Sequence, residues 1–306
     1  MIKENIINFS FSKYYRKFNF LSLLVIILSV YFIVFKGLNF GVDFKGGTLI
    51  EIRVENKNIE ISDIRKSLLK MDLGDVTVKR FGNKKDYLIK IEKRNTTNEN
   101  FIKSINNKLN LDLSSDIDFR RVENVGPKVS SELLNDAILA ISLALAAMLF
   151  YIWIRFEWQF SLGAIIAIIH DVIITLGIFS FLEYEINLSI VAAVLTIVGY
   201  SMNDTVVIFD RIRENLRKYI KVPIEEICDT STKETLSRTM VTSITTLLAL
   251  ISIYIFGGAI LKGFSFAMIV GVIVGTYSSI FVAAPVLKHT KVTSKTVLKE
   301  DEKENN

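Results

Sequence analysis

The sequence predicts a membrane all-α bundle of six spanning helices, with one small α+β domain inserted between the first two. Half of the 306 residues are hydrophobic, and the mean hydropathy is positive, +0.38. Charged residues make up 23% of the chain and lie in dense patches between long neutral stretches. A soluble protein of this length does not need apolar runs of about 20 residues, whereas a helix that crosses a bilayer does.

Six apolar segments are long enough to cross the hydrocarbon core of a bilayer. Helix 1 is predicted at residues 18–36, and helices 2 to 6 lie within 136–287, at about 136–154, 160–182, 188–209, 240–260 and 264–287. The first segment follows a basic stretch, as a signal peptide would. It is longer than a signal core, however, and no small-residue cleavage site follows it, which favours an uncleaved spanning helix.

Positive charges beside the apolar segments predict the orientation of the bundle. Segment 210–239 carries seven Lys and Arg residues, and the N-terminus (1–17) and the tail (288–306) also carry lysines, whereas the loop 183–187 has two glutamates and no basic residue. We therefore expect both termini and segment 210–239 to be cytoplasmic. The start of that segment is predicted to continue as an amphipathic helix at the membrane surface. The charged tail is predicted to be disordered.

The insert, residues 37–135, is predicted to be a small periplasmic α+β domain. Alternating or helical apolar patterns indicate strands at about 47–54, 76–81, 87–93 and 117–125, and helices at about 59–71 and 97–111. A Gly82-Asn83 turn is expected to join the middle strands, and residues 95–97 to cap the second helix. The order βαββαβ is that of a ferredoxin-like split motif.

Asp204 is the ionisable residue that most strongly indicates a function, because it lies within an apolar spanning segment. Burial in a medium of low dielectric raises the pKa of a carboxyl group, and a nearby arginine lowers it again. An arginine that moves towards and away from Asp204 would therefore act as a proton switch, and Arg238, at the start of segment five, is the natural candidate. The alternatives are a structural carboxylate and an interfacial arginine that marks the membrane boundary.

Asp171 and Asn203 are candidates to support Asp204. Asp171 follows Gly163 and Ala167 at intervals of four residues, so it lies on a face of small residues and is predicted to tie helices together by hydrogen bonds. His170 beside it titrates near neutral pH in water, but a buried neutral histidine is the favoured interpretation.

Two ladders of small residues predict close helix packing. One runs along segment six and the other along segment four: Ala267, Gly271, Gly275, Ser279 and Ala283, and Ala192, Thr196, Gly199 and Asn203. Each ladder fits either a contact within the chain or a seam against a partner protein. The sequence leaves that choice open.

Motifs for nucleotide binding, metal binding and hydrolysis are missing from the sequence. We therefore expect no cofactor, no metal, no catalytic residue and no enzyme activity. The basic residues flank apolar segments, which favours membrane orientation over nucleic-acid binding. Cys228 is the only cysteine, so it cannot form a disulfide within the chain.

Three local motifs, together with the six-segment layout, closely resemble the SecD/SecF family of bacterial protein-export subunits, within the resistance-nodulation-division superfamily. They are residues 41–48 (GVDFKGGT), 122–129 (VENVGPKV) and 199–215 (GYSMNDTVVIFDRIREN). The first contains an Asp-Phe-x-Gly-Gly element, formed by Asp43, Phe44, Gly46 and Gly47. Lys45 stands in its variable position, where the family often has a small polar residue.

The resemblance implies that the chain forms one half of an RND-type membrane unit in the bacterial inner membrane. SecF-like chains pair with SecD as a heterodimer and associate with the SecYEG channel, often with YajC. The pair uses the proton-motive force to promote late translocation and release of preprotein substrates. By motif, Asp204 matches a position in the proton path, and Arg238 matches a functionally important arginine. A sodium-coupled version would need only modest changes around the carboxylate.

Three other functions remain as alternatives. Half of a drug or lipid exporter of the same superfamily would carry a larger periplasmic domain than this insert. An intramembrane aspartyl protease would use two carboxylates on consecutive helices, as Asp171 and Asp204 are, but in different sequence contexts. A passive assembly scaffold, with Asp204 merely structural, is not distinguished from the proton-driven subunit by the sequence.

Overall fold

The computed structural model of the chain describes residues 10–55, 59–71, 73–80, 85–91 and 99–297. The chain divides into two compact units. The first, called the membrane unit below, comprises residues 1–39, 140–184 and 189–306. The second, called the insert, comprises residues 40–139 and 185–188.

Ten α-helices and four strands have both their ends within the described residues, and residues 294–297 are also helical. The helices are α1 (Tyr15–Tyr31), α2 (Val42–Lys45), α3 (Ile61–Leu69), α4 (Glu99–Leu113), α5 (Pro127–Arg155), α6 (Trp158–Leu182), α7 (Leu188–Lys218), α8 (Ile224–Phe256), α9 (Gly258–Ser278) and α10 (Ala284–His289). The strands are β1 (Gly47–Val54), β2 (Val76–Arg80), β3 (Asp86–Ile91) and β4 (Ile117–Val125). Single π-helical turns follow α1 and α9, at Phe32–Lys36 and Ser279–Ala283.

The predicted spanning segments are confirmed as helices. Within the described part of the chain, six helical stretches are long and apolar enough to cross a membrane: Ser12–Lys36, Val129–Arg155, Trp158–Leu182, Leu188–Lys218, Ile224–Phe256 and Leu261–His289. The helices α7 and α8 extend far beyond the apolar runs from which they were predicted. Most of segment 210–239 is therefore helix, and the turn between α7 and α8 ends at Pro223, directly before the first residue of α8.

Burial separates the six spans into two sets. About half of the apolar window of α6, α7 and α9 is buried inside the protein, whereas less than a fifth of that of α1, α5 and α8 is. The three inner spans thus form the centre of the membrane unit. The outer spans present most of their apolar side chains outwards, as helices in contact with lipid do.

The insert is a four-stranded antiparallel sheet in the order β2-β3-β1-β4. Helices α3 and α4 contribute Ile64, Leu68, Ile105 and Leu109 to an apolar core that they share with the inward residues of the strands. The α3 helix begins with a capping box, in which the backbone N–H of Glu60 donates to the Asp63 carboxylate at 3.0 Å. The predicted βαββαβ order is confirmed, while the Gly82-Asn83 turn and the cap at residues 95–97 lie outside the described residues.

The prediction that residues 288–306 are disordered was wrong for the part that is described. The helix α10 continues to His289, and the following residues Val292 and Val297 are buried. The Ser294 hydroxyl donates to the Ile220 carbonyl at 3.4 Å. The tail is charged overall, but its two valines join the core of the membrane unit, which a prediction from net composition misses. Residues 298–306 lie outside the described residues.

One end of the membrane unit gathers both termini and segment 210–239. The backbone N–H of Ser12 donates to the Asp229 carboxylate at 2.7 Å, and Lys288 pairs with Glu225 at 3.0 Å. The helix α7 reaches this end through Arg211, which pairs with Glu234 at 2.6 Å. The start of the segment continues α7 as a helix, as predicted, with Ile212 and Leu216 buried and Arg217 and Lys218 exposed. Its position at a membrane surface stays a prediction.

Candidate functional site

Close backbone approach brings the three inner spans together. A Cβ added at Gly275 of α9 would lie 2.9 Å from the Ser201 side chain on α7, and one at Gly163 of α6 would lie 2.9 Å from the Ala283 carbonyl oxygen. The backbone of Gly271 faces Ile197 with no room for a side chain. The ladder on segment six therefore packs within the chain. The ladder on segment four is exposed at Ala192, Thr196, Gly199 and Asn203.

Asp171 ties the three inner spans together, as its small-residue face predicts. Its Oδ2 accepts hydrogen bonds from Ser201 of α7 at 2.5 Å and from Ser278 of α9 at 2.8 Å. Its Oδ1 lies 2.8 Å from Nδ1 of His170. Each carboxylate oxygen therefore has a polar partner, and the side chain is held in one orientation by groups from different helices.

His170 is buried beside this carboxylate. Its ring stacks on Tyr277 at a centroid distance of 6.1 Å and an interplanar angle of 26°. The Tyr277 hydroxyl in turn donates to the Phe18 carbonyl at 2.8 Å and lies 2.7 Å from the Ser22 hydroxyl, both in α1. Nε2 of His170 has no hydrogen-bond partner within the described residues.

Asp204 is buried in α7, facing α8 and α9. The hydrogen bond to its Oδ2 from the Thr276 hydroxyl is long, at 3.4 Å. Thr276 is also 2.8 Å from the Ser243 hydroxyl of α8. The Ser243 hydroxyl is a second polar neighbour of Asp204. Asp204 thus has hydroxyl neighbours on α8 and α9, but its hydrogen bond to Thr276 is longer than either serine hydrogen bond to Asp171.

One stretch of α9 contacts both carboxylates. Thr276 bonds Asp204, Ser278 bonds Asp171, and Ser279, the first residue of the π-helical turn, lies 2.8 Å from the Thr205 hydroxyl of α7. Of these hydroxyl residues, the sequence patterns indicated only Ser279, as a member of the small-residue ladder on segment six. The signal was present as a polar run within an apolar span, GTYSS at residues 275–279.

The other two predicted membrane residues lie outside this interior. Arg238 is exposed on α8, and among the described residues the structure shows no ion pair between it and a carboxylate. Asn203 is exposed on α7, next to the buried Asp204. Arg238 and Asp204 are near enough for an electrostatic interaction, although they form no ion pair among the described residues. The roles predicted for Arg238 and Asn203 stay predictions.

The Asp-Phe-x-Gly-Gly element lies in the insert. Val42–Lys45 forms the short helix α2, in which Phe44 is buried and Lys45 exposed. Gly46 and Gly47 follow with φ of +75° and +115°, a conformation that strains residues with a side chain. The exposure of Lys45 explains why this position of the element accepts a long charged side chain.

Comparisons with known proteins find family matches both for the membrane helices and for this element. Residues 104–293 match the family described as "Protein export membrane protein SecD/SecF, C-terminal", and residues 31–57 match the "SecD/SecF GG Motif". A protein translocase subunit SecF from Rickettsia bellii is 42% identical over 286 residues, covering 92% of this chain and 93% of the relative. One from Vibrio alginolyticus is 45% identical over 264 residues, covering 86% and 84%.

Two solved structures are similar in fold. The crystal structure of SecDF from Thermus thermophilus, a translocon-associated membrane protein, has a TM-score of 0.84 and 34% identity over 92% of this chain. SecDF in its super-membrane-facing form has a TM-score of 0.67 and 32% identity over 97%. Those chains are longer, and this chain spans only 38% and 39% of them.

Proposed function

Because this chain belongs to the SecD/SecF family of protein-export membrane proteins, we propose that it uses the proton-motive force to promote late preprotein translocation and release. Asp204 is the residue that takes up and releases the proton. The family also identifies the chain as an accessory subunit of a protein translocase, which is a transport component and not an enzyme.

The observation that carries the proposal is the contrast between the two buried carboxylates. Asp171 receives short hydrogen bonds from Ser201 and Ser278, which stabilise a fixed arrangement. The hydroxyl neighbours of Asp204 are Thr276, at 3.4 Å, and Ser243, which itself bonds Thr276 at 2.8 Å. A buried carboxylate with weak hydrogen bonding has little to favour its charged form, so it changes protonation state when its surroundings change. A purely structural carboxylate would be bonded as Asp171 is.

Arg238 supplies the change in surroundings. It is exposed on α8, the helix that also carries Ser243 beside the Asp204 contact. A movement that brings the guanidinium closer to Asp204 favours release of the proton, and its withdrawal favours uptake. Asn203, next to Asp204 on the exposed face of α7, supports this exchange by giving the site a polar border.

A partner covers the exposed face of α7. The ladder of Ala192, Thr196, Gly199 and Asn203 permits close approach of another helix, and its residues are exposed within the described part of the chain. In the proposed assembly that helix belongs to SecD, and the pair associates with the SecYEG channel and YajC. The protein lies in the bacterial inner membrane with both termini cytoplasmic, which the basic flanks of the spans support.

The proposal is tested by preprotein translocation into inverted membrane vesicles that carry the Asp204→Asn variant. ATP is held constant, and the proton gradient is either imposed or collapsed, so that the gradient-dependent increment is measured separately. Asp171→Asn is the matched control, since it removes the same charge from the neighbouring helix. We expect Asp204→Asn to abolish the increment and Asp171→Asn to keep it within about twofold, because an amide oxygen still accepts the two serine hydrogen bonds.

Co-purification with the partner shows that each variant assembles. An intact increment in assembled Asp204→Asn would overturn the proposal in favour of a passive scaffold. If the increment follows an imposed sodium gradient and not a proton gradient, the coupling ion is sodium and not the proton.

A further inference from the structure

Phe40 and Gly41, just before the Asp-Phe-x-Gly-Gly element, contact the residues that lead into α7. The backbone N–H of Gly41 donates to the Ile186 carbonyl at 2.9 Å, and Phe40 forms a parallel β-bridge with Ile186. Phe40 is also bound to the sheet of the insert, since the ammonium of Lys90 on β3 donates to the Phe40 carbonyl at 3.0 Å. Residues 185–188 thus belong to the insert although they are far from it in sequence.

Asp43 adds a further contact, at the first residue of α7. Its Oδ2 accepts a hydrogen bond of 2.9 Å from the backbone N–H of Leu188. The first N–H groups of a helix have no partner within the helix, and a carboxylate placed there is further favoured by the helix dipole. The turn of α2, followed by Gly46 and Gly47 at positive φ, holds the Asp43 side chain towards this N-terminus.

The same helix carries the proposed proton site. Asp204 lies 16 residues after Leu188 in α7, which is roughly 24 Å along a continuous helix. A helix transmits an axial displacement over such a distance because its backbone hydrogen bonds keep its length nearly constant. A displacement of Leu188 along the helix axis therefore reaches the surroundings of Asp204.

We infer that Asp43 is a positioning residue that fixes the N-terminus of α7, the helix that carries Asp204, and that this contact stays closed while the protein works. Loss of this contact lets the first turn of α7 shift, and the surroundings of Asp204 on the same helix change with it. This inference rests on the proposed function of Asp204.

The first test compares Asp43→Ala with Asp43→Asn in the same vesicle assay. We expect Asp43→Ala to reduce the gradient-dependent increment about fivefold, the loss that follows removal of a helix cap, and to leave ATP-driven translocation unchanged. Asp43→Asn should keep most of the increment, because its amide oxygen accepts the same hydrogen bond. Hydrogen exchange at the Leu188 amide should become faster in Asp43→Ala only. An unchanged increment in Asp43→Ala, or equal loss in Asp43→Asn, would overturn the inference.

A disulfide provides the second test. A Cβ added at Gly41 would lie 3.4 Å from Cβ of Asn187, close to the mean of about 3.8 Å between the Cβ atoms of a disulfide. Gly41 has an extended backbone, φ −70°, so a cysteine fits there. Gly41→Cys and Asn187→Cys are introduced together in a chain in which Cys228 is replaced by alanine. Oxidation should leave the increment intact with Asp43 present and restore it in Asp43→Ala, and a reductant should remove that rescue.

Two outcomes of the second test count against the inference. If oxidation abolishes the increment while Asp43 is present, the contact must open during the work of the protein. If oxidation does not restore the increment in Asp43→Ala, holding these residues together is not what Asp43 contributes. Asp204→Asn is measured in parallel. If Asp204→Asn abolishes the increment and Asp43→Ala does not, this inference fails alone, whereas an intact increment in Asp204→Asn removes the proposed function itself.

Discussion

The centres of the insert and of the membrane unit differ in the polar side chains that they enclose. The centre of the insert consists of apolar residues such as Ile50, Ile89 and Ile105, which have no exposed surface. The inner spans of the membrane unit enclose Asp171 and Asp204 together with several hydroxyl groups, while the outer spans expose apolar side chains. The same chain thus has an apolar core in one unit and a partly polar core in the other.

The difference shows which forces stabilise each unit. In the insert, burying apolar surface removes it from water, which is the dominant favourable term in folding. In a membrane, lipid is as apolar as leucine, so helices gain little from burying such residues and associate through close packing and hydrogen bonds. The glycines and hydroxyls between α6, α7 and α9 therefore help to stabilise the membrane unit, as the buried isoleucines stabilise the insert.

The largest expected effect is that of a cavity in the insert. Ile89→Ala should lower the stability of the insert by about 2–5 kcal/mol, because β3 places Ile89 fully inside the core. Ile27→Ala, on the exposed face of α1, should change stability by less than about 0.5 kcal/mol. Hydrogen exchange of sheet and helix amides in the full chain measures both. Equal losses would show that the two units do not differ as described.

A methyl group added between α7 and α9 should have the next largest effect. Gly271→Ala places a Cβ against Ile197 and should cost about 1–3 kcal/mol, as overpacking does. Gly199→Ala is the matched control, since nothing lies within 4 Å of its added Cβ. Thermal unfolding in detergent compares them. If Gly199→Ala also destabilises the isolated chain, the exposed ladder is not free in that state.

Removing one hydrogen bond from the polar centre should cost less. Ser278→Ala deletes a donor to Asp171 and should reduce stability by about 0.6 kcal/mol, and at most about 1.7 kcal/mol. Ser252→Ala removes a hydroxyl that bonds only within its own helix region, to the Leu248 carbonyl, and should be nearly neutral. Denaturation in mixed micelles tests the pair. A larger loss for Ser252→Ala would contradict the importance of bonds between helices.

The smallest effect is a dependence on pH within the insert. Burial raises the pKa of Glu185, outweighing Lys90 and Lys79, whereas hydrogen bonds from Lys108 and Ser67 hold the pKa of Asp112 below its usual range. The contribution of Glu185 is present at low pH and is lost as the pH rises through its raised pKa, so Glu185→Gln should be more stable than the unaltered chain at pH 7.

Asp112 provides the control of opposite sign. Its contribution is present at neutral pH and is lost as the pH falls through its lowered pKa, so Asp112→Asn should be less stable at pH 7 and no different at low pH. Thermal unfolding between pH 3 and pH 8 measures both variants. A loss of stability in Glu185→Gln at pH 7 would contradict the effect assigned to burial.

Much of the architecture follows from local sequence patterns. Runs of apolar residues about 20 long predicted the six spanning helices, because the thickness of the bilayer sets that length. Alternation and helical spacing predicted the order of the insert. Asp204 stood out because a charge is rare in such a run. Each of these signals lies within one segment of the chain.

Only the tertiary structure decided which polar residues meet. Hydroxyls of Thr242 and Thr245 bond carbonyls of their own helix, whereas those of Thr276 and Ser278 reach carboxylates on other helices. The tertiary structure also brought Asp43 to Leu188. A hydroxyl that bonds its own helix and one that bonds another helix look alike in composition and spacing. Which bond forms depends on how each helix is rotated against its neighbours. That rotation is set by side-chain packing between segments distant in sequence, which no local pattern records.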